Sequence, residues 1–152
     1  MDETFFADYL ERLDNLYNGF RKEMDGLPAE ALDWVPGPEM NSIAVLVAHT
    51  TGSLRYWIGE AALGEPVNRD REREFQTKGV SAAELLQRLD VFLAYVRIAL
   101  PKMDWKELAE ESSAQQNGKP VTRGWALLHG LEHGYLHLGH VQLTAQLWRG
   151  RG

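Results

Sequence analysis

Four of the five histidines fall in one short stretch, HGLEHGYLHLGH, as His129, His133, His137 and His140; the fifth is His49. If that stretch is helical, a rotation of about 100° per residue sends the four side chains to about −40°, 0°, +40° and −20°, taking His133 as zero. All four then occupy a wedge of about 80° on one face. Imidazoles four residues apart stand about 6 Å apart along the axis, so His133 and His137 form a clamp that can converge on one ion. A third protein ligand has to come from another element, and His49 is the histidine that remains. Three neutral imidazoles suit Zn or Ni best and admit Fe, Mn or Cu, whereas Mg and Ca want oxygen. With three protein ligands, one position stays open for water or substrate. The readings without a metal are histidines hydrogen-bonded in a core, or a cluster that responds to pH.

The residues beside these five extend the chemistry. On a continuous helix His49 shares its face with Val45, Ser53, Tyr56 and Glu60. Tyr56 and Glu60 can then hydrogen-bond a substrate, with Glu60 as general base. The plainer reading makes Tyr56 a residue of the bundle margin and Glu60 a solvated helix end. His140 and His129 flank the proposed ligand stripe, where they can orient ligands, carry protons or supply a fourth ligand. For His129 the packing role is the expected one. The candidate set is therefore His49, His133 and His137 for metal, with His140, Glu60 and Tyr56 for proton handling and substrate.

The elements that must position these residues are helical by their apolar period. From Thr4 to Met24, large apolar residues recur at steps of three and four, and Gly26 and Pro28 end the run. The connector LPAEALDWVPGPEMN carries three prolines that a helix interior would not hold. Asn41 or Ser42 caps a second helix running to about Leu63. The charged segment EPVNRDREREFQTKG reads as a surface connection. Ser81 opens a third helix ending near Pro101, a short acidic helix follows around Trp105 to Glu111, and SSAQQNGKP reads as a loop. A last long helix spans about Val121 to Trp148. No strand-like alternation of useful length is seen. Four main helices predict an all-α four-helix bundle, with up-down-up-down topology as the default. Leu128, Leu131, Tyr135 and Leu138 form a second apolar side on the last helix, opposite its histidines, and predict a homodimer.

Composition narrows the classes further. At 152 residues the chain makes one domain, over 1–150. It is 44% hydrophobic and 25% charged, as ordinary globular proteins are. Sixteen basic against 22 acidic residues give a net charge of −6, which argues against nucleic-acid or anionic-membrane partners. With no cysteine, thiolate metal sites, disulfides and a Cys nucleophile are excluded. No run approaches the ~20 apolar residues of a membrane span, and MDETFFADYL is acidic where a secretory signal is basic. The expected location is cytoplasmic. The pair His133-Gly134-Tyr135-Leu136-His137 lacks the Glu of a zincin, the Glu-x-x-His pairs of di-iron bundles are missing, and there is no P-loop, nucleophile elbow or dinucleotide fingerprint.

Two segments, LDWVPGPEMNSIAVLVAHTTGSLRYWIGE and EHGYLHLGHVQLTAQLW, resemble the DinB-like (damage-inducible) superfamily of bacterial metal-binding four-helix bundles. The first is similar to that family's Leu-x-Trp-x-Pro connector, Ser-started helix, ligand His and trailing aromatic. The second is similar to its His-x3-His-x-Gly-Gln/His signature. With the helix order, the likeness covers nearly the whole chain. It implies ligand roles for His49, His133 and His137. Position 140, often Gln in relatives, is His here, and position 133 is acidic in some branches. The resemblance implies a divalent-metal-dependent enzyme acting on a small molecule, thiol S-transferase-like with a low-molecular-weight thiol, or hydrolase-like. The alternative is a metal-binding or ligand-sensing bundle without turnover.

Overall fold

The computed structural model describes residues 2–151. Its helices are α1 (Asp2–Met24), α2 (Ala29–Asp33), α3 (Ile43–Leu54), α4 (Arg71–Phe75), α5 (Ala82–Ala99) and α6 (Arg123–Arg149). The long helices α1, α3, α5 and α6 build the expected bundle. Their starts follow the polar caps in the sequence: the side chains of Ser42, Ser81 and Thr122 accept hydrogen bonds from the backbone amides of Val45, Glu84 and Trp125. The core is one apolar cluster. Leu13, Leu16 and Phe20 of α1, Leu54 and Ile58, Leu85, Leu89 and Leu93 of α5, and Leu127 of α6 are almost wholly out of solvent.

Helix packing departs from the up-down-up-down default. α6 lies against α3 and α1, while α5 lies against α1 and α3, so α1 and α3 face each other across a diagonal, as do α5 and α6. The long connectors 25–42 and 100–122 make those two diagonal crossings, which tight turns cannot span. The arrangement sets α3 directly beside α6, the two helices that carry all five histidines.

Three further departures have local causes. The SSAQQNGKP stretch is an antiparallel hairpin, β1 (Glu111–Gln116) with β2 (Lys119–Thr122), and not a loop. Asn117 and Gly118 both have positive φ (52° and 74°), the conformation of a tight hairpin turn that Asn-Gly favours. Ser112 and Ala114 point inward, so the buried face of β1 is made of small residues and gives no apolar alternation. Second, α3 does not stay α-helical to Leu63 but widens into a π-helical segment, Arg55–Ala62, closed by an i→i+5 bond from the Leu63 amide to the Ile58 carbonyl (3.0 Å). Third, the second apolar side of α6 is only partly covered from within. Leu138 is buried near Gly19 of α1, and the Tyr135 hydroxyl donates to the Arg12 carbonyl (3.0 Å). What stays exposed on α6 is Leu128 and Tyr135 on that second side and, nearer the histidines, a row of Leu136, Leu143 and Leu147.

Two glycines of α6 set how close the helices come. A Cβ on Gly130 would lie 2.9 Å from Ile58 Cγ1 and 3.3 Å from Trp57 Cβ, and one on Gly134 would lie 2.6 Å from Leu16 Cδ2. Their bare backbones let α6 press against α3, its π-helical extension and α1. Among the described residues, no helix is long and apolar enough to cross a membrane.

Candidate metal centre

His49, midway along α3, meets His133 and His137 of α6. Ring centroids are 5.3 Å apart for His49–His133, 5.0 Å for His49–His137 and 4.4 Å for His133–His137. One ring nitrogen from each residue lies within 4.8 Å of the other two. Two nitrogens each about 2.1 Å from one tetrahedral ion stand about 3.4 Å apart, so small rotamer changes close the group on a cation. His49 is buried and the other two are half-buried. Burial, reinforced by the neighbouring imidazoles and arginines, lowers the His133 pKa to about 4. Burial and the imidazoles of His133, His49 and His140 do the same for His137, also to about 4. Burial lowers that of His49 as well, against the opposing pull of the Glu74 carboxylate. Near neutral pH the three rings are therefore uncharged nitrogen donors, the form that binds a transition ion. His133 Nδ1 is buried without any hydrogen-bond partner, a cost that a folded protein rarely carries unless something absent satisfies the atom. The residues fit a divalent transition ion.

The flanking residues separate into distinct roles. His140 is exposed, its Nδ1 3.3 Å from His137 Nδ1. His129 stacks on Trp125 (centroids 4.6 Å, interplanar 18°) and meets Trp57 edge-on at 4.6 Å, so it belongs to an aromatic wall beside His133. Tyr56 packs against Trp57, with the Arg69 guanidinium 6.0 Å from its ring. Glu60 is where straight helical arithmetic fails. The π-helical turn advances each residue by about 82° instead of about 100°, which carries Glu60 roughly 100° away from the face of His49. Its Oε2 instead accepts from the Val67 amide at 3.0 Å and holds the connector, and Glu60 is not in the converging group.

Sequence reasoning missed Glu74. The charged stretch read as a plain surface connection contains α4, capped by Asp70, and folds back on α3. Glu74 Oε2 lies 2.9 Å from His49 Nδ1, and the Phe75 ring packs on the same imidazole with centroids 4.8 Å apart. The one trace in the sequence was Gly52, a glycine inside a helix where a residue with a side chain would be more stable.

The lowered pKa values carry a prediction for the metal-free protein. An unfolded imidazole titrates near 6.5 while those of His133 and His137 titrate near 4, so between these values the unfolded chain holds more protons. Stability is then complete above about pH 6.5 and is lost as pH falls towards 4. Thermal melts of chelator-treated protein should show a constant melting temperature above pH 7 and a decline below 6.5. The decline should be shallower in His137→Gln. A wild-type profile flat down to pH 4.5 would contradict the assigned protonation states.

A profile of the DinB superfamily matches residues 12–141. Among solved structures, a conserved protein from Enterococcus faecalis superposes with a TM-score of 0.75 at 19% identity, covering 95% of this chain and 97% of that one. A DinB-like protein from Bacillus cereus ATCC 10987 superposes with a TM-score of 0.73 at 15% identity, covering 93% of this chain and 91% of that one. At such identities the likeness is one of fold. No curated protein matches significantly.

Proposed function

The chain belongs to the DinB superfamily, and on that premise we propose that it is a divalent-metal-dependent enzyme acting on a small molecule, thiol S-transferase-like or hydrolase-like. The observation that carries this reading is the convergence of three uncharged imidazoles, one with an orphaned buried nitrogen. His49, His133 and His137 would hold the ion, with Zn or Ni the best suited to three nitrogen donors. When bound, such an ion lowers the pKa of a thiol or water brought to its open position. The protein's own groups do the rest. His140, exposed beside His137, would exchange that proton with solvent through its imidazole. Trp57, Trp125 and His129 wall one side of the site and exclude water there. Tyr56 supplies a hydroxyl at the margin of that wall for orienting substrate. Elemental analysis of protein purified without an affinity tag should find about one transition ion per chain. A screen of low-molecular-weight thiols with electrophilic partners, and of small esters and amides, then tests turnover. Stoichiometric metal with no turnover in either screen favours the non-catalytic sensing alternative. Protein that neither retains nor rebinds an ion overturns the proposal.

The exposed row on α6 supports a homodimer. Leu136, Leu143 and Leu147 fall within about 40° of one another around the helix, a stripe that a second copy of the chain would cover. Sedimentation at micromolar concentration should give a dimer for the wild type and a monomer for Leu136→Lys combined with Leu143→Lys. A monomeric wild type removes the assignment.

A further inference from the structure

The least expected contact in the molecule joins the centre to the charged connector. Glu74 is a carboxylate from a short helix in the most hydrophilic part of the chain, yet its side chain is only 10% exposed. Arg69, from the same connector, donates through Nε to Oε1 (2.7 Å) and through a terminal nitrogen to Oε2 (2.9 Å). A guanidinium has no acceptor, so this fork makes both carboxylate oxygens acceptors and fixes their plane. His49 Nδ1, 2.9 Å from Oε2, is then the donor of the third bond. The consequence is a defined tautomer: the proton sits on Nδ1 and the Nε2 lone pair is left for the opposite side of the ring.

The backbone of α3 makes room for this contact. A Cβ at position 52 would stand 1.9 Å from Glu74 Oε1 and 2.6 Å from its carboxyl carbon. Glycine in a helix interior is unfavourable relative to alanine, and here the missing side chain admits a carboxylate within reach of a buried histidine three residues earlier. The connector is fastened by its own short-range bonds. The Asp70 side chain accepts from the Arg73 amide, and the Thr77 hydroxyl donates to the Glu74 carbonyl.

We propose that Glu74, clamped by Arg69 and admitted by Gly52, is a positioning residue that fixes the tautomer and orientation of His49 for ion binding, so that the docked 65–78 connector is part of the metal centre. The inference rests on the reading of His49, His133 and His137 as ligands. Partners that orient a ligand imidazole typically contribute 10–100-fold to metal affinity.

The test combines Zn2+ affinity, measured by competition with a chelator, with the nitrogen resonances of the metal-free histidines in ¹⁵N NMR. In the wild type, His49 should be the Nδ1–H tautomer. In Glu74→Ala it should shift to Nε2–H or a mixture, with Zn2+ affinity lower by 10–100-fold and circular dichroism retained. Gly52→Ala, which changes no polar group, should reproduce both effects by displacing the carboxylate. Should Glu74→Ala fail to fold, Glu74→Gln keeps the packing and loses the Arg69 clamp; there a loss of about tenfold is expected. Unchanged tautomer and unchanged Zn2+ affinity in a folded Glu74 variant would overturn the assignment. A wild type that binds no Zn2+ would instead defeat the metal reading, and the tautomer of His49 would still decide what Glu74 does.

Discussion

His133→Ala should fold as the wild type does and lose the ability to retain a divalent transition ion. The wild type, given Zn2+ at about a hundred times its dissociation constant, should gain about 2.7 kcal/mol of stability. For a chain of this size that is roughly 5–10 °C in melting temperature. The variant should gain almost nothing, a larger effect than the 10–100-fold in affinity that outer partners contribute. Without metal the comparison should reverse in character. The ring removed is one whose buried Nδ1 has no partner, so the packing lost is offset by the removal of an unsatisfied polar atom, and the two melting temperatures should lie within a few degrees. Such a pairing, no metal-dependent gain with little metal-free loss, is typical of a residue kept for function at the expense of stability. A His133→Ala protein that still carries one tightly held ion per chain would remove His133 from the ligand set.

The second large effect is expected at Gly130, where valine should destabilise the bundle and weaken ion binding together. The atoms a side chain would meet there are Ile58 Cγ1 and Trp57 Cβ, close to the backbone of a packed π-helical segment and unable to swing away. Overpacking of this kind costs about 1–3 kcal/mol, against which valine recovers only a few tenths in helix propensity. A fall of roughly 5–10 °C in melting temperature is expected at the upper end of that range. Because the same displacement moves α6 from α3, Zn2+ affinity should fall even though no ligand has changed. Gly139→Val is the control: it lies on the same helix with no atom within 4 Å of its added Cβ, and it should leave both quantities nearly untouched. Equal behaviour of the two variants would show that helix propensity, and not close approach, is what matters at position 130.

Much of this was legible in the chain itself, and the parts that were not share a physical cause. Apolar residues at steps of three and four, with Ser42 and Ser81 ahead of two of the runs, mark helix starts because capping is local chemistry. The grouping of His133 and His137 is likewise local, one turn of one helix. The convergence of His49 on them follows once α3 and α6 are neighbours, which depends on the diagonal crossings and is not written in any short window. Glu60 was misplaced because a π-helical segment changes the angular step without any signature in the residue types. The β1–β2 hairpin hid behind small inward residues, although Asn117-Gly118 announced its turn. Glu74 was hidden most thoroughly: carboxylates are abundant in that connector, and only the three-dimensional gap at Gly52 singles this one out.

The diagonal crossing also bears on biogenesis. His49 and His133 are separated by more than half the chain, so the three-histidine cluster does not exist until α6 has left the ribosome and docked. A nascent chain therefore presents a single imidazole from α3, without its partners, through most of its synthesis. On the proposed reading, cation capture would therefore follow assembly of the scaffold and would not be the nucleus around which the early helices gather.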